Sequence, residues 1–114
     1  MRVNGGFIEK TGVRVNDRLH ARAVVVARGA TVVVLCVVDS CMMPRELIDA
    51  AKTRAAARTR IPVERMLVSA THTHSAPAAM GCLGARADAP YASFLEEKIA
   101  EVIVAAAARQ EPAR

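Results

Sequence analysis

Apolar positions in this chain come in two rhythms. His20–Ala27 and Thr31–Val38 are short, valine-rich runs separated by Arg28-Gly29-Ala30. Short β-branched runs on either side of a glycine turn predict a β-hairpin. Thr31–Val38 is almost continuously apolar, which predicts a strand covered on both faces. After Pro44, a residue favoured in the first turn of a helix, the rhythm changes. Leu47, Ile48, Ala51 and Ala55 fall on one helical face, with Asp49, Lys52 and Arg58 elsewhere. Ile61-Pro62 closes that helix, because a residue preceding proline avoids the helical region.

Met66–Ser69 is a third, shorter strand, and Ala76–Ala89 reads as a loop holding Pro77, Gly81 and Gly84. Asp88 and Pro90 start a second helix, whose apolar stripe is Tyr91, Phe94, Leu95, Ile99, Val102 and Ile103. Residues 1–17 are polar and turn-rich. The fold class is therefore α/β: a β-hairpin followed by a βαβ unit and a C-terminal helix, with the strands flanking the crossover helix parallel. No repeat or linker divides residues 1–114, so the chain is one domain or part of one.

Composition narrows the picture. The chain is 53% hydrophobic but only 3% aromatic, so its core is built from small side chains. Net charge is +5, with Lys52, Arg54, Arg58, Arg60 and Arg65 the densest basic group. Basic residues without aromatic interleaving or a recognition motif describe a solvated helix face rather than a nucleic-acid surface. No apolar run reaches membrane-spanning length and the first residues lack a signal-peptide core, so a cytoplasmic location is expected. Cys36, Cys41 and Cys82 are odd in number and form no CxxC pair, which predicts buried free thiols. A His-His-Cys82 donor set is the alternative for the last of them.

Candidate chemistry concentrates in Ser69-Ala70-Thr71-His72-Thr73-His74-Ser75-Ala76-Pro77, which holds two of the three histidines. On a strand, residues i and i+2 share a face, so His72 and His74 would project together toward one metal ion. A tight turn of hydrogen-bonded histidines is the competing reading. His20 is too isolated in sequence to supply a third donor. In parallel α/β units ligands sit at the carboxyl ends of strands, and Asp39 ends the second strand as the histidines end the third. Asp39 could orient one of those histidines, or it simply begins the turn into the helix.

From Val15 to Ala78, more than half its length, the chain resembles the N-terminal domain of neutral/alkaline non-lysosomal ceramidases. The matching pieces are Asp17-Arg18-Leu19-His20-Ala21-Arg22-Ala23, then Val37-Val38-Asp39, then Pro44-Arg45-Glu46-Leu47. The most specific is Val68-Ser69-Ala70-Thr71-His72-Thr73-His74-Ser75-Ala76-Pro77. The resemblance implies a zinc-dependent amidohydrolase of sphingolipid metabolism that splits the N-acyl bond of ceramide. It assigns His72 as a zinc ligand and His74 as a catalytic residue passing a proton to the leaving amine. Asp39 (catalytic) and Arg22 (substrate-binding) match positions near that site. A Zn²⁺ ion would supply Lewis acidity to water and to the amide carbonyl.

Ceramidases proper read THTHSGPGG, whereas Ala76, Ala78 and Ala79 stand here where glycines would, which opens the substrate class to other amides. Family members are several times longer, with further ligands (a histidine, a glutamate and a tyrosine) downstream. The resemblance therefore implies a partial ceramidase-like domain over residues 1–114, a fragment of a larger α/β hydrolase-type domain with an incomplete zinc site. Such a piece is expected to be incompetent unless a complementing polypeptide supplies the rest. The reading from a different class is a small non-catalytic α/β association domain, a homo-oligomer formed through exposed apolar surface.

Overall fold

Gly29, at φ 57°, opens the two-residue turn between the valine-rich runs, a position where hairpin turns favour glycine. A computed structural model describes residues 1–113. Its elements in chain order are β1 (Arg2–Val3), β2 (Lys10–Thr11), β3 (Ala21–Arg28) and β4 (Thr31–Val38). They continue with α1 (Arg45–Thr59), a 3-10 turn (Val63–Arg65), β5 (Met66–Ala70) and α2 (Ala89–Ala107). β3 and β4 pair antiparallel from Ala21↔Val38 to Arg28↔Thr31, and β4 and β5 pair parallel from Val34↔Met66 to Val38↔Ala70. The main sheet therefore has the order β3-β4-β5, with α1 as the crossover. The α/β expectation holds, hairpin and βαβ unit included. Residues 1–17 do more than turn: β1 and β2 make a second, two-stranded antiparallel ladder.

One face of the main sheet packs on both helices. Val34, Cys36 and Val38 of β4 and Met66 and Val68 of β5 meet Leu47, Ala51 and Ala55 of α1 and Leu95, Ile99, Ala100 and Ile103 of α2. The period of two along the strands and of 3.6 along the helices selects these positions. α1 stops at Thr59 because Arg60 takes the left-handed conformation, φ 61°, ahead of Ile61-Pro62. α2 is capped by Asp88, whose side chain accepts from the Tyr91 backbone N–H at 3.2 Å. Phe94 departs from the expected stripe and is 55% exposed. The basic group on α1 is partly engaged: Arg54 pairs with Glu96 and Glu97, and Arg58 with Glu97, across the helix–helix seam.

The second face corrects an expectation. β4 is covered on one side only. Val33, Leu35 and Val37 face outward beside Val24 and Val26 of β3 and Leu67 of β5, all six between 39% and 60% exposed. The run of apolar residues reflects the chemistry of both faces, but within one chain the two helices cover only one. No helix among the described residues is long and apolar enough to cross a membrane.

Candidate metal centre

The parallel register sets the site. Val38 lies opposite Ala70, so the chain leaves the sheet twice at the same place: into Asp39-Ser40-Cys41 after β4, and into Thr71-His72-Thr73-His74 after β5. The Thr71 N–H still donates to the Val38 carbonyl at 2.9 Å, extending the ladder by one bond. At His72 the backbone swings into the left-handed region, φ 62°. The histidines therefore lie beyond the strand and do not share a strand face. Their rings nonetheless converge, with centroids 4.9 Å apart and planes at 76°.

Cys41 is the third member. Its Sγ and one ring nitrogen from each of His72 and His74 lie within 4.8 Å of one another, a set of donors that could hold a metal ion. Thiolate and imidazole are the ligands Zn²⁺ prefers, and three protein donors leave one of four tetrahedral positions to a small molecule. His72 Nδ1 lies 2.8 Å from the Cys41 carbonyl oxygen and 3.9 Å from the Cys41 Sγ, so one ring nitrogen faces both groups of that residue. Cys41 is buried while both histidines are exposed, so the group opens to solvent on the imidazole side. Burial pushes the Cys41 thiol pKa up, with the nearby Cys82 adding to the effect.

Cys82, the thiol considered from sequence, belongs elsewhere. Its Sγ accepts from Asn4 Nδ2 at 2.7 Å, and that amide also donates to the Met80 carbonyl at 3.0 Å. Asn4 is buried, and its Oδ1 has no hydrogen-bond partner among the described residues. The next residue, Gly5, sits at φ 108° directly against His74, where an added Cβ would fall 2.4 Å from the His74 Cβ and Cγ. The N-terminal segment thus forms one wall of the group. Downstream, Ala78 N–H donates to the Arg2 carbonyl at 2.8 Å, which ties the loop after the histidines to β1. Ala76, Ala78 and Ala79 are buried and none has a positive φ, so this loop does not need glycines.

Asp39 and Arg22 meet each other rather than the histidine pair. Asp39 Oδ2 accepts from the His20 backbone N–H at 2.9 Å and lies 3.6 Å from Arg22 NH1 and 3.7 Å from His20 Nδ1. The histidine Asp39 contacts is therefore His20, and no hydrogen bond or ion pair among the described residues joins Asp39 to His72 or His74. The reason is the antiparallel register: Ala21 pairs with Val38, so His20 ends up beside Asp39. Cys41 was missed in the sequence because its place beside the histidines depends on two chain ends emerging side by side. The available signal was its position two residues past Asp39, at the same strand end.

No family model, no curated protein and no solved structure matches the chain.

Proposed function

We propose that Cys41, His72 and His74 hold a zinc ion, and that the chain is part of a zinc-dependent amidohydrolase acting on a ceramide-like N-acyl lipid or a related amide. The observation that carries this reading is the gathering of three soft and borderline donors within 4.8 Å at the carboxyl end of a parallel strand pair. The substrate class rests on the resemblance of the Val68–Pro77 string to ceramidases. Bound there, zinc supplies Lewis acidity to water and to an amide carbonyl. His72, fixed by the Cys41 carbonyl, acts as the anchoring ligand. Cys41 holds the buried side of the site. His74 closes the donor set from the solvent side. A ring nitrogen engaged as a donor has no lone pair to carry a proton, so proton transfer to a leaving amine needs a group from outside this trio.

Zinc content after dialysis against trace zinc tests the metal. The expected result is one zinc per chain, falling at least tenfold in Cys41→Ser, His72→Ala and His74→Ala. Wild-type protein that retains no zinc, or variants that retain all of it, would overturn the site. A short-chain N-acylsphingosine added to the zinc-loaded protein tests the substrate class. Shifts of the His72 and His74 ring resonances are expected, and unchanged rings would remove the amide from the proposal while leaving the metal standing.

A further inference from the structure

We propose that the open face of the β3–β4–β5 sheet is a homodimer interface, onto which a second copy of this chain stacks its own open face. The face is one contiguous surface, because the registers place Val24 opposite Leu35, Val26 opposite Val33, and Leu35 opposite Leu67. Leu35 is its centre, with an apolar neighbour on each flanking strand. The six side chains are half-exposed and together leave roughly 400 Å² of apolar surface, within the range of a monomer's largest patch, which is often functional. Two such faces in contact, with their rims, remove on the order of 1,000 Å² from water, the size at which specific interfaces begin. The occupant must be flat and apolar, and a twisted sheet with the same twist meets that requirement in an aligned sandwich.

Charge selects the orientation. One end of the face carries Asp39 with Arg22, and the other end carries Arg28, on the same side of β3 as Val24 and Val26. A twofold axis parallel to the strands would set Arg28 against its own copy. An axis perpendicular to the strands parts the two Arg28 side chains and sets each over the end of the other copy where Arg22 and Asp39 already pair. The stack is therefore antiparallel. The metal centre lies past the ends of β4 and β5, off the patch, so dimerisation and zinc binding are separable.

Sedimentation velocity of the whole chain, from about 1 to about 200 µM, reads the outcome as a micromolar monomer–dimer equilibrium. Leu35→Glu is expected to weaken the dimer at least thirtyfold, roughly the loss of a central anchor. The exposed Phe94→Ala on α2 is expected to leave the dimer unchanged. Circular dichroism confirms that each variant folds. If Leu35→Glu does not fold, the pair Val24→Thr with Leu67→Thr takes its place, since threonine suits an exposed strand. A chain that stays monomeric throughout, with or without zinc, overturns the proposal. So does a dimer that folded Leu35 or Val24/Leu67 variants leave intact.

Discussion

His72 holds a backbone conformation that costs an L-residue about 1 kcal/mol, and only its side chain offers a return on that strain. The left-handed turn aims the ring at the Cys41 carbonyl and toward His74. Glycine adopts the same conformation freely. His72→Gly is therefore expected to change stability by no more than about 1 kcal/mol, relief of strain offsetting the lost hydrogen bond, while zinc retention disappears. Chemical denaturation together with metal analysis checks both halves, and a glycine variant that still held zinc would remove His72 from the site. Gly5 sets the complementary constraint. A methyl group there would overlap the His74 ring, and the positive φ adds strain for any side chain. Gly5→Ala is expected to displace His74 and lower zinc affinity at least tenfold while His72 keeps its bond to Cys41. Titration with a competing chelator and the ring resonances of the two histidines distinguish that outcome from general unfolding.

Helix α2 shows how far periodicity can be trusted. Leu95, Ile99 and Ile103 recur every fourth residue and are buried against the sheet and α1, but Phe94 on the same apparent stripe faces solvent. Ile99→Ala is expected to cost about 2–5 kcal/mol by leaving a cavity in the buried core it shares with Val34, Val38 and Ala51, and Phe94→Ala less than about 1 kcal/mol. Urea denaturation of the two variants measures the contrast, and equal losses would contradict this packing. The same contrast shows what was legible in the sequence. Strand and helix positions follow from residues that are neighbours along the chain, so the hairpin, α1, β5 and α2 could be read from valine runs, Pro44 and Asp88. Which apolar faces find a partner depends on the number of elements available to cover them, and two helices cover only one side of β4. The donor set was half legible for a similar reason. His72 and His74 stand together in sequence, whereas Cys41 joins them only through the pairing of Val38 with Ala70.

At the scale of the whole molecule the chain is extended, with a radius of gyration of 15.1 Å where about 13 Å is usual for this length. The N-terminal segment is tied to the rest at several points, among them the Asn4 amide on Met80 and Cys82 and the Ala78 N–H on the Arg2 carbonyl. A titratable tie is Glu9, whose Oε2 accepts from the Arg86 backbone N–H at 3.0 Å and lies 3.4 Å from its Nε, while Arg2 stands 3.7 Å from Oε1. The Arg86 backbone N–H and then its guanidinium hold the Glu9 carboxyl below the ordinary 4.5. A carboxylate with a depressed folded-state pKa stabilises the fold above its ordinary value, and that contribution is lost as pH falls through the depressed one. The contact is therefore expected to remain whole at neutral pH and to open only below pH 4.5. Amide exchange of Arg86 reports it directly, since that N–H is bound to Glu9 itself. Protection should fall with a midpoint under the ordinary glutamate value, and Glu9→Gln should flatten the response. Because Gly5 lies on the same segment, four residues before Glu9 and against His74, the acid transition should also loosen the His74 ring. A midpoint at or above 4.5, or a profile that Glu9→Gln leaves unchanged, would show that the segment is held by β1 and β2 rather than by this carboxylate.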